Sequence, residues 1–278
     1  MSQRGAGFAF LLLLIFSTLL LGCSKGSAPA GPGIRITLEV DVSQTPDVDV
    51  ETALSMAADI IGRSGGPGVK VSVQDGNRLS VELPDITAAE ASRLFSHEVL
   101  FEFRQPKLDD NTNILTCQGG KVTYNPPGCE GGQELGVPPQ SLTVRSAESV
   151  IWVPALATDG DGRETALTGH FLKPNTFVSS DPVLGTPILN FEMTSEGAPL
   201  LEQVTTRLLG LPMTFFLDGE PIRGEEGGIM APTVRAPISD KGIIEGLSAG
   251  DARMLSIQLN AGAMPAPLKV IEVEELGD

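Results

Sequence analysis

Basic, histidine and aromatic residues are scarce in this sequence, and each shortage excludes a class of function. There are 19 Lys and Arg against 35 Asp and Glu, which gives a net charge of -16. Binding to nucleic acid, or to anionic lipid through charge alone, needs an excess of cations, so neither is expected. Only 2 histidines and 5% aromatic residues occur, and no P-loop or G-x-G-x-x-G motif is present. The sequence therefore predicts no cofactor and no nucleic-acid partner, and nothing in it requires an enzyme.

The one long apolar run lies at the N-terminus. Residues Phe8–Leu21 would span about 20 Å as a helix, less than the ~30 Å hydrocarbon core of a bilayer, which is typical of a signal peptide. Leu20-Leu21-Gly22-Cys23 follows and resembles the bacterial lipobox, whose cysteine becomes the lipidated first residue. We therefore expect a signal peptide over residues 1–22, lipidation of Cys23 and a position on the extracytoplasmic face of the cell envelope, held to a membrane by lipid. An uncleaved anchor with an incidental Cys23 is the alternative.

The residues that follow Cys23 predict a tether and then a disulfide. Residues 23–33 are rich in Gly, Pro and Ser and are interpreted as a flexible linker. Cys117 and Cys129 stand close together in a Gly/Pro-rich stretch. Outside the cytoplasm such a pair favours a disulfide, which would stabilise the fold by about 3 kcal/mol. The alternative is a metal site, but two thiols with two distant histidines make a poor ligand set.

The first part of the chain alternates short strands and helices. Alternating apolar residues predict a strand, a capped helix, a hairpin, a second helix opened by a Thr87/Glu90 capping box, and another strand. In chain order these are Ile34–Val42, a helix capped by Asp49, Val69–Val73 with Leu79–Leu83, the Thr87 helix, and Val99–Arg104. This order is β-α-β-β-α-β, so we predict an α+β protein with a ferredoxin-like base.

The remainder is predicted to form a second α+β unit inserted into the first. Gln105–Leu142 is interpreted as a loop or the neck of the insertion. Further strands are predicted, and a final helix and strand return the chain to the base. The strands are Ile188–Met193, Met213–Leu217, Thr233–Ile238 and Gly242–Glu245, and the return is Ala252–Asn260 followed by Leu268–Val273. The expected organisation is a base of residues 34–108 and 248–278, with an inserted head of residues 109–247.

Gly246-Leu247-Ser248-Ala249-Gly250 matches the G-x-S-x-G pattern of a hydrolase nucleophile. That site needs a histidine later in the chain, and both histidines, His97 and His170, come earlier. Ser248 is better explained as a helix N-cap, with Asp251 completing the box. We therefore predict a structural role for this serine.

Two further groups resemble metal ligands only weakly. Asp159, Asp161 and Glu164 lack the spacing of a calcium loop, so a solvated turn is favoured. His97 and His170 are isolated, with no H-x-x-x-H pattern, and are interpreted as ordinary core or surface residues. No metal site is predicted.

Several segments in fixed order resemble one family. They are Val81-Glu82-Leu83-Pro84, Leu100-Phe101-Glu102-Phe103-Arg104, Leu167-Thr168-Gly169, Phe216-Leu217-Asp218-Gly219, and Asn260-Ala261-Gly262-Ala263-Met264-Pro265-Ala266-Pro267-Leu268. Together they resemble the first extracytoplasmic domain of SecD, a subunit that assists the bacterial preprotein translocase. The family's D-L-x-G-G signature is not preserved at Pro32-Gly33-Ile34. The membrane helices that follow the domain in SecD are not expected here, and neither is proton-driven motion.

The resemblance implies a base with an inserted head that binds emerging polypeptide. We therefore expect an exported or unfolded polypeptide as partner, together with translocase components. The head residues Phe171, Phe177, Phe191 and Phe216 are candidates for the contact surface, although a core position is favoured for each because phenylalanine is usually buried. Two alternatives remain open. One is an envelope module that docks on a partner protein without binding polypeptide, and the other is an enzyme with an unrecognised site.

Overall fold

The computed structural model describes residues 33–44, 48–95, 99–142, 144–261 and 264–276. The expected signal peptide, Cys23 and His97 lie outside these residues. From Gly31 onward the chain forms one compact unit. In the described part, no helix has the length and apolarity required to cross a membrane.

The described residues contain four α-helices, four short 3-10 helices and seventeen strands. The first part contains β1 Gly33–Val40, α1 Val50–Gly65, β2 Lys70–Val73, β3 Arg78–Leu83, α2 Ala88–Leu94, β4 Phe101–Pro106, β5 Ile114–Gln118, β6 Lys121–Tyr124, β7 Pro127–Glu130 and β8 Gln133–Val137. The second part contains β9 Trp152–Pro154, β10 Leu156–Thr158, β11 Glu164–Ala166, β12 Phe177–Ser180, β13 Pro187–Glu192, α3 Gly197–Arg207, β14 Thr214–Leu217, β15 Glu220–Pro221, β16 Lys241–Glu245, α4 Ala249–Ala261 and β17 Leu268–Leu276. The fold is α+β, as predicted.

The base is a four-stranded antiparallel sheet covered on one face by helices. Its strand order is β17-β1-β3-β2, the order of a ferredoxin-like split β-α-β unit. Every second residue of β1 is buried, because its alternating sequence turns one side to the core. Asp49 caps α1 by accepting a hydrogen bond from the Thr52 N–H, and the Thr87/Glu90 capping box forms at α2. The prediction that a late strand returns to the base is confirmed, and its partner is β1.

The placement of Val99–Arg104 in the base was wrong. The strand exists as β4, but it lies in a second sheet of order β15-β14-β4-β9. The fourth base strand is β17 instead, so the ferredoxin-like pattern closes only at the end of the chain. Phe101 and Phe103 explain the difference, because both pack against Phe215 of β14 rather than against the base helices.

Gln105–Leu142 is not the loop that its composition suggested. Strands β5 and β8 pair with each other, and β6 and β7 form a hairpin between them. Strands β6, β7 and β8 are short and contain no fully buried residue, so the apolar alternation that signals a strand is weak here. The strand predicted at Thr233–Ile238 is wrong. This segment contributes only an isolated bridge from Thr233 to Pro212.

A second hydrophobic core fills the head. It is built around Phe101, Phe103, Phe191 and Phe215, whose rings lie 5.3 to 6.0 Å apart in edge and stacked contacts. Helix α3 and the three-stranded sheet β12-β13-β16 close this core. One face of that sheet is therefore packed against the core, and the opposite face points away from it.

Helix α4 belongs to both cores. Ala252 and Leu255 pack in the head core, whereas Ile257 packs in the base core. The buried guanidinium of Arg253 donates to the carbonyl oxygens of Gly65, Pro67 and Pro84 at 2.6 to 3.1 Å. Burial lowers the pKa of Arg253, although Asp85 nearby opposes that shift. A helix buried on two sides therefore holds the head sheet beside the base.

Candidate functional site

The outer face of the sheet β12-β13-β16 is the candidate site, and we call it the outer sheet face. Its members alternate with core residues along each strand, because side chains of neighbouring residues point to opposite faces. Val178, Leu189 and Ile244 point inward and are packed in the head core. The outward set is Phe177, Ser179, Ile188, Asn190, Glu192, Lys241, Ile243 and Glu245.

One row of this face carries two large exposed apolar side chains. Phe177, Asn190 and Ile243 are register partners across the three strands. Phe177 is 46% exposed and Ile243 is 53% exposed. Between them, the Asn190 amide donates to the Ser179 hydroxyl at 2.9 Å and to the Ile188 carbonyl at 3.2 Å. The row thus offers apolar surface around a side chain whose own donors are already used.

The hairpin that joins β12 to β13 adds apolar surface at its tip. Val183 is 86% exposed and Leu184 is 76% exposed. The Asp181 carboxylate accepts hydrogen bonds from the N–H groups of both residues, at 2.8 and 2.6 Å, and this lowers the pKa of Asp181. The turn is therefore held by its own backbone contacts while its two apolar side chains face solvent.

An ion cluster lies at the other end of the outer sheet face. The Glu192 carboxylate contacts the Lys241 ammonium at 2.5 Å, the Asn175 amide at 3.1 Å and the Lys173 ammonium at 3.3 Å. These contacts, led by Lys241, lower the pKa of Glu192 to about 2. The carboxylate is therefore ionised throughout the physiological range, and the Lys241 side chain is drawn toward β13.

A cleft of about 230 Å³ opens beside Phe177, between the base and the head. Its lining comes from α1, α4 and the segment before β12, and comprises Ile60, Arg63, Ser64, Pro174, Asn175, Thr176, Phe177 and Asn260. Asn260 joins its walls, donating to the Thr176 carbonyl at 2.7 Å and accepting from the Thr176 N–H at 3.0 Å. The buried Oδ1 of Asn175 accepts no hydrogen bond within the described chain. The cleft thus adjoins the apolar row at Phe177.

A second cavity, of about 170 Å³, lies in the head away from the outer sheet face. Trp152 lies in its wall, fully buried, and donates from Nε1 to the Ala147 carbonyl at 3.1 Å. Leu142, Val150 and Ile229 complete an apolar lining. Because the tryptophan has its own partner, this cavity is explained as an imperfectly filled part of a third, smaller hydrophobic cluster that also contains Phe216.

The four candidate phenylalanines divide between surface and core. Phe177 is exposed and Phe171 is half-buried, whereas Phe191 and Phe216 are buried. Phe216 stacks under the Arg104 guanidinium at 4.1 Å and contacts the Tyr124 ring. Their burial excludes Phe191 and Phe216 from a contact surface. Sequence reasoning missed Ile243, since only the pairing of β16 at a sheet edge exposes it.

Ser248 and Asp159, which the sequence suggested as possible site residues, stabilise local structure instead. The Ser248 hydroxyl accepts from the Asp251 N–H at 3.1 Å, which is the predicted N-cap of α4. Asp159 accepts from the N–H groups of Asp161 and Arg163 at 2.9 Å, which is the predicted turn. His170 is exposed beside Phe171.

The predicted disulfide is present between the two remaining cysteines. A disulfide joins Cys117 and Cys129, with their Cα atoms 5.1 Å apart, and links β5 to β7. The described residues bring no three His, Cys, Asp or Glu side chains into a metal-binding group.

Comparison with known proteins places this geometry in a family. Residues 153–266, which include the outer sheet face, match the model of the SecDF P1 head subdomain. Protein translocase subunit SecD of Dehalococcoides mccartyi is 31% identical over 97% of this chain and 57% of that protein. Over nearly its whole length this chain is similar to SecD, and its residues 153–266 are similar to the periplasmic head subdomain of that family. Protein translocase subunit SecDF of Thermus thermophilus is 27% identical over 97% of this chain and 35% of that protein.

The SecD relatives are longer than this chain. It spans about half of the length of the SecD proteins it matches, 57% in Dehalococcoides mccartyi and 51% in Elusimicrobium minutum. A solved structure described as a membrane component SecDF that enhances protein export is 26% identical. It aligns over 86% of this chain and 98% of that chain with a TM-score of 0.37.

Proposed function

We propose that this chain acts in protein translocation on the extracytoplasmic side of a membrane, where it binds exported polypeptide before that polypeptide folds. The observation that carries the proposal is the exposed apolar row of Phe177 and Ile243 on the outer sheet face. The family match supports the process, since the relatives are named as translocase subunits. Polypeptides that have not folded expose apolar side chains, and the row would cover them.

The size and chemistry of the surface support a weak, tolerant contact. Phe177 and Ile243 lie on two strands, and Val183 and Leu184 lie at one hairpin tip, so the apolar side chains are spread over a surface. Burying one such side chain contributes about 1.5–3 kcal/mol, so a few together give useful affinity without strong sequence preference. A protein that handles many exported chains needs this kind of tolerance.

The test is binding of a permanently unfolded polypeptide to the full chain in detergent. Reduced and carboxamidomethylated lactalbumin, labelled for fluorescence anisotropy, serves as the probe. Phe177→Asp should weaken binding by about tenfold, because it places a charge in a desolvated contact. Val73→Asp is the matched control, since Val73 is 56% exposed on a base strand, and it should bind like the parent chain. Absence of binding by the parent chain, or equal loss in both variants, would contradict the proposal.

We also propose, from the sequence alone, that Cys23 carries lipid and holds the domain at the membrane. Cells that express the full chain are fed an alkyne-labelled fatty acid, and the recovered protein is tested for label. The parent should be labelled and should lack residues 1–22, whereas Cys23→Ser should carry no label. Label on the Cys23→Ser chain would refute the lipid anchor.

A further inference from the structure

The backbone of β16 has an unoccupied side. The N–H of Met193 donates to the Asp240 carbonyl at 2.7 Å. Met193 and Asp240 follow directly on the register pair Glu192↔Lys241, so Met193 and Asp240 are a hydrogen-bonded pair and Glu192 and Lys241 are not. In an antiparallel ladder such pairs alternate with pairs whose backbone groups point away. Gly242 and Ile244 therefore pair with β13, whereas Ile243 directs its N–H and C=O outward. No described strand pairs with this side of β16.

Two of the other sheet edges, those of β12 and β17, are protected. At the far edge of the same sheet, the end of α1 covers β12, because a Cβ atom on Gly66 would lie 3.1 Å from the Val178 carbonyl oxygen. In the base, the register of β17 with β1 shifts at a bulge, and β17 carries Glu272, Glu274 and Glu275. Bulges and charges are the usual devices that prevent pairing at an edge. The register of β16 with β13 is regular, without such a shift.

Strand β16 carries two charges: Glu245 is its last residue, and Lys241 at its start is engaged in an ion pair. Lysine on an edge strand normally discourages pairing, since it must be desolvated by an incoming strand. The Lys241 ammonium is held 2.5 Å from Glu192 on the outer sheet face, where that contact raises its pKa. Beside it, Gly242 has no side chain, and Ile243 offers apolar surface. The edge is therefore open to a strand that brings apolar side chains.

We infer that the free edge of β16 receives an extended segment of exported polypeptide as a fourth strand, paired through Ile243. This inference rests on the proposed function and locates its main-chain contact. Main-chain hydrogen bonds do not depend on sequence, while apolar side chains of the guest strand would extend the row of Phe177 and Ile243. A second copy of this chain is a poorer occupant, because two chains of net charge -16 repel each other.

Proline substitution at the edge separates the backbone contact from the side-chain contact. Ile243→Pro removes the outward N–H without removing a hydrogen bond to β13, and Ile243→Ala shortens the side chain but keeps that N–H. Val73→Pro is a matched control in the base. The Gln74 N–H donates to the Arg78 carbonyl, so the same alternation turns the Val73 N–H outward. Cooperative thermal unfolding checks that each variant is folded.

The full chain in detergent is titrated into labelled, reduced and carboxamidomethylated lactalbumin. Ile243→Pro should bind at least about fivefold more weakly than Ile243→Ala, and Val73→Pro should match the parent. Equal binding by the two Ile243 variants, with a parent chain that binds, overturns the edge inference and leaves the proposed function standing. A parent that does not bind refutes both. Sedimentation that reveals a dimer dissolved by Ile243→Pro would assign the edge to a second copy and overturn the inference.

Discussion

Two rows of side chains cross the open faces of the two main sheets, and their chemistry differs. In the base, Glu274, Arg35, Glu82 and Lys70 alternate in sign across four strands, with contacts of 2.8 to 3.0 Å between neighbours. In the head, the corresponding row is Phe177, Asn190 and Ile243. Both faces are opposite a packed core, so burial within the chain does not explain the difference.

The base row is the ordinary solution for a sheet face in water. Cross-strand pairs of opposite charge stabilise the sheet and keep apolar surface away from solvent. The pKa of Glu82 is lowered, first by its hydrogen bond to Arg35 and then by that to Lys70. The head row lacks this arrangement and exposes two large apolar side chains instead. The contrast indicates that the head face is adapted for contact with another molecule, whereas the base face is adapted for water.

The largest expected effect distinguishes the core side of the head sheet from its outer side. The Phe191 ring fills the space beside Gly242 and contacts Phe103 within the core. Phe191→Ala should lower the free energy of unfolding by about 3–5 kcal/mol, through lost burial and a cavity. Phe177→Ala should change it by no more than about 0.5 kcal/mol. Urea denaturation of the full chain measures both, and similar losses would mean that Phe177 is part of the core.

A smaller effect tests the base row. Glu82→Gln removes the central carboxylate that Arg35 and Lys70 share. Because exposed ion pairs contribute little, the midpoint of thermal unfolding should fall by only a few degrees, and by less at high salt. Binding of unfolded polypeptide should be unchanged. If binding weakened as much as in Phe177→Asp, the distinction between the two rows would be lost.

The smallest effect concerns the ion cluster at the end of the head face. The pKa of Glu192 is lowered to about 2 from an ordinary value of 4.5. Its contribution to stability is therefore fully present above about pH 4.5 and disappears as the pH falls toward 2. At neutral pH the midpoint of thermal unfolding should be higher for the parent chain than for Glu192→Gln. This difference should disappear as the pH falls from about 4.5 toward 2.

Glu245→Gln controls for general loss of charge in the same pH series. Glu245 is exposed on β16 and forms no ion pair within the described residues. Its melting gap from the parent should change little between pH 4.5 and 2. A gap for Glu192→Gln that stayed constant over that window would show that Lys241 does not stabilise the ionised carboxylate.

Local signals in the sequence were sufficient for several individual elements of the base. The alternation in β1, the Asp49 cap and the Thr87/Glu90 box each depend on residues close in sequence. The placement of β4 failed because a strand's partners are chosen by tertiary packing, here by Phe215 more than a hundred residues later. Helix α4 was assigned to the base alone, since periodicity does not reveal that Leu255 and Ile257 enter different cores.

The candidate site was predicted only in part. Four residues were selected because they are phenylalanines in the predicted head. A single sequence does not determine which of their rings lies on the inner face of a sheet and which on the outer face. Phe177 and Phe191 lie in neighbouring strands with similar surroundings in sequence, and only the register separates them. Ile243 was visible as part of a strand, yet its exposure depends on β16 being an edge.

Photo-crosslinking in cells tests the adapted head face most directly. A benzoylphenylalanine is placed at position 243 of the full chain, and in a matched strain at position 73, where Val73 is similarly exposed on the base. Position 243 should yield adducts with many newly exported polypeptides, and blocking synthesis of exported proteins should abolish them. Position 73 should yield few. Equal adducts at both positions, or a single stoichiometric partner at position 243, would contradict a head face that binds exported polypeptide.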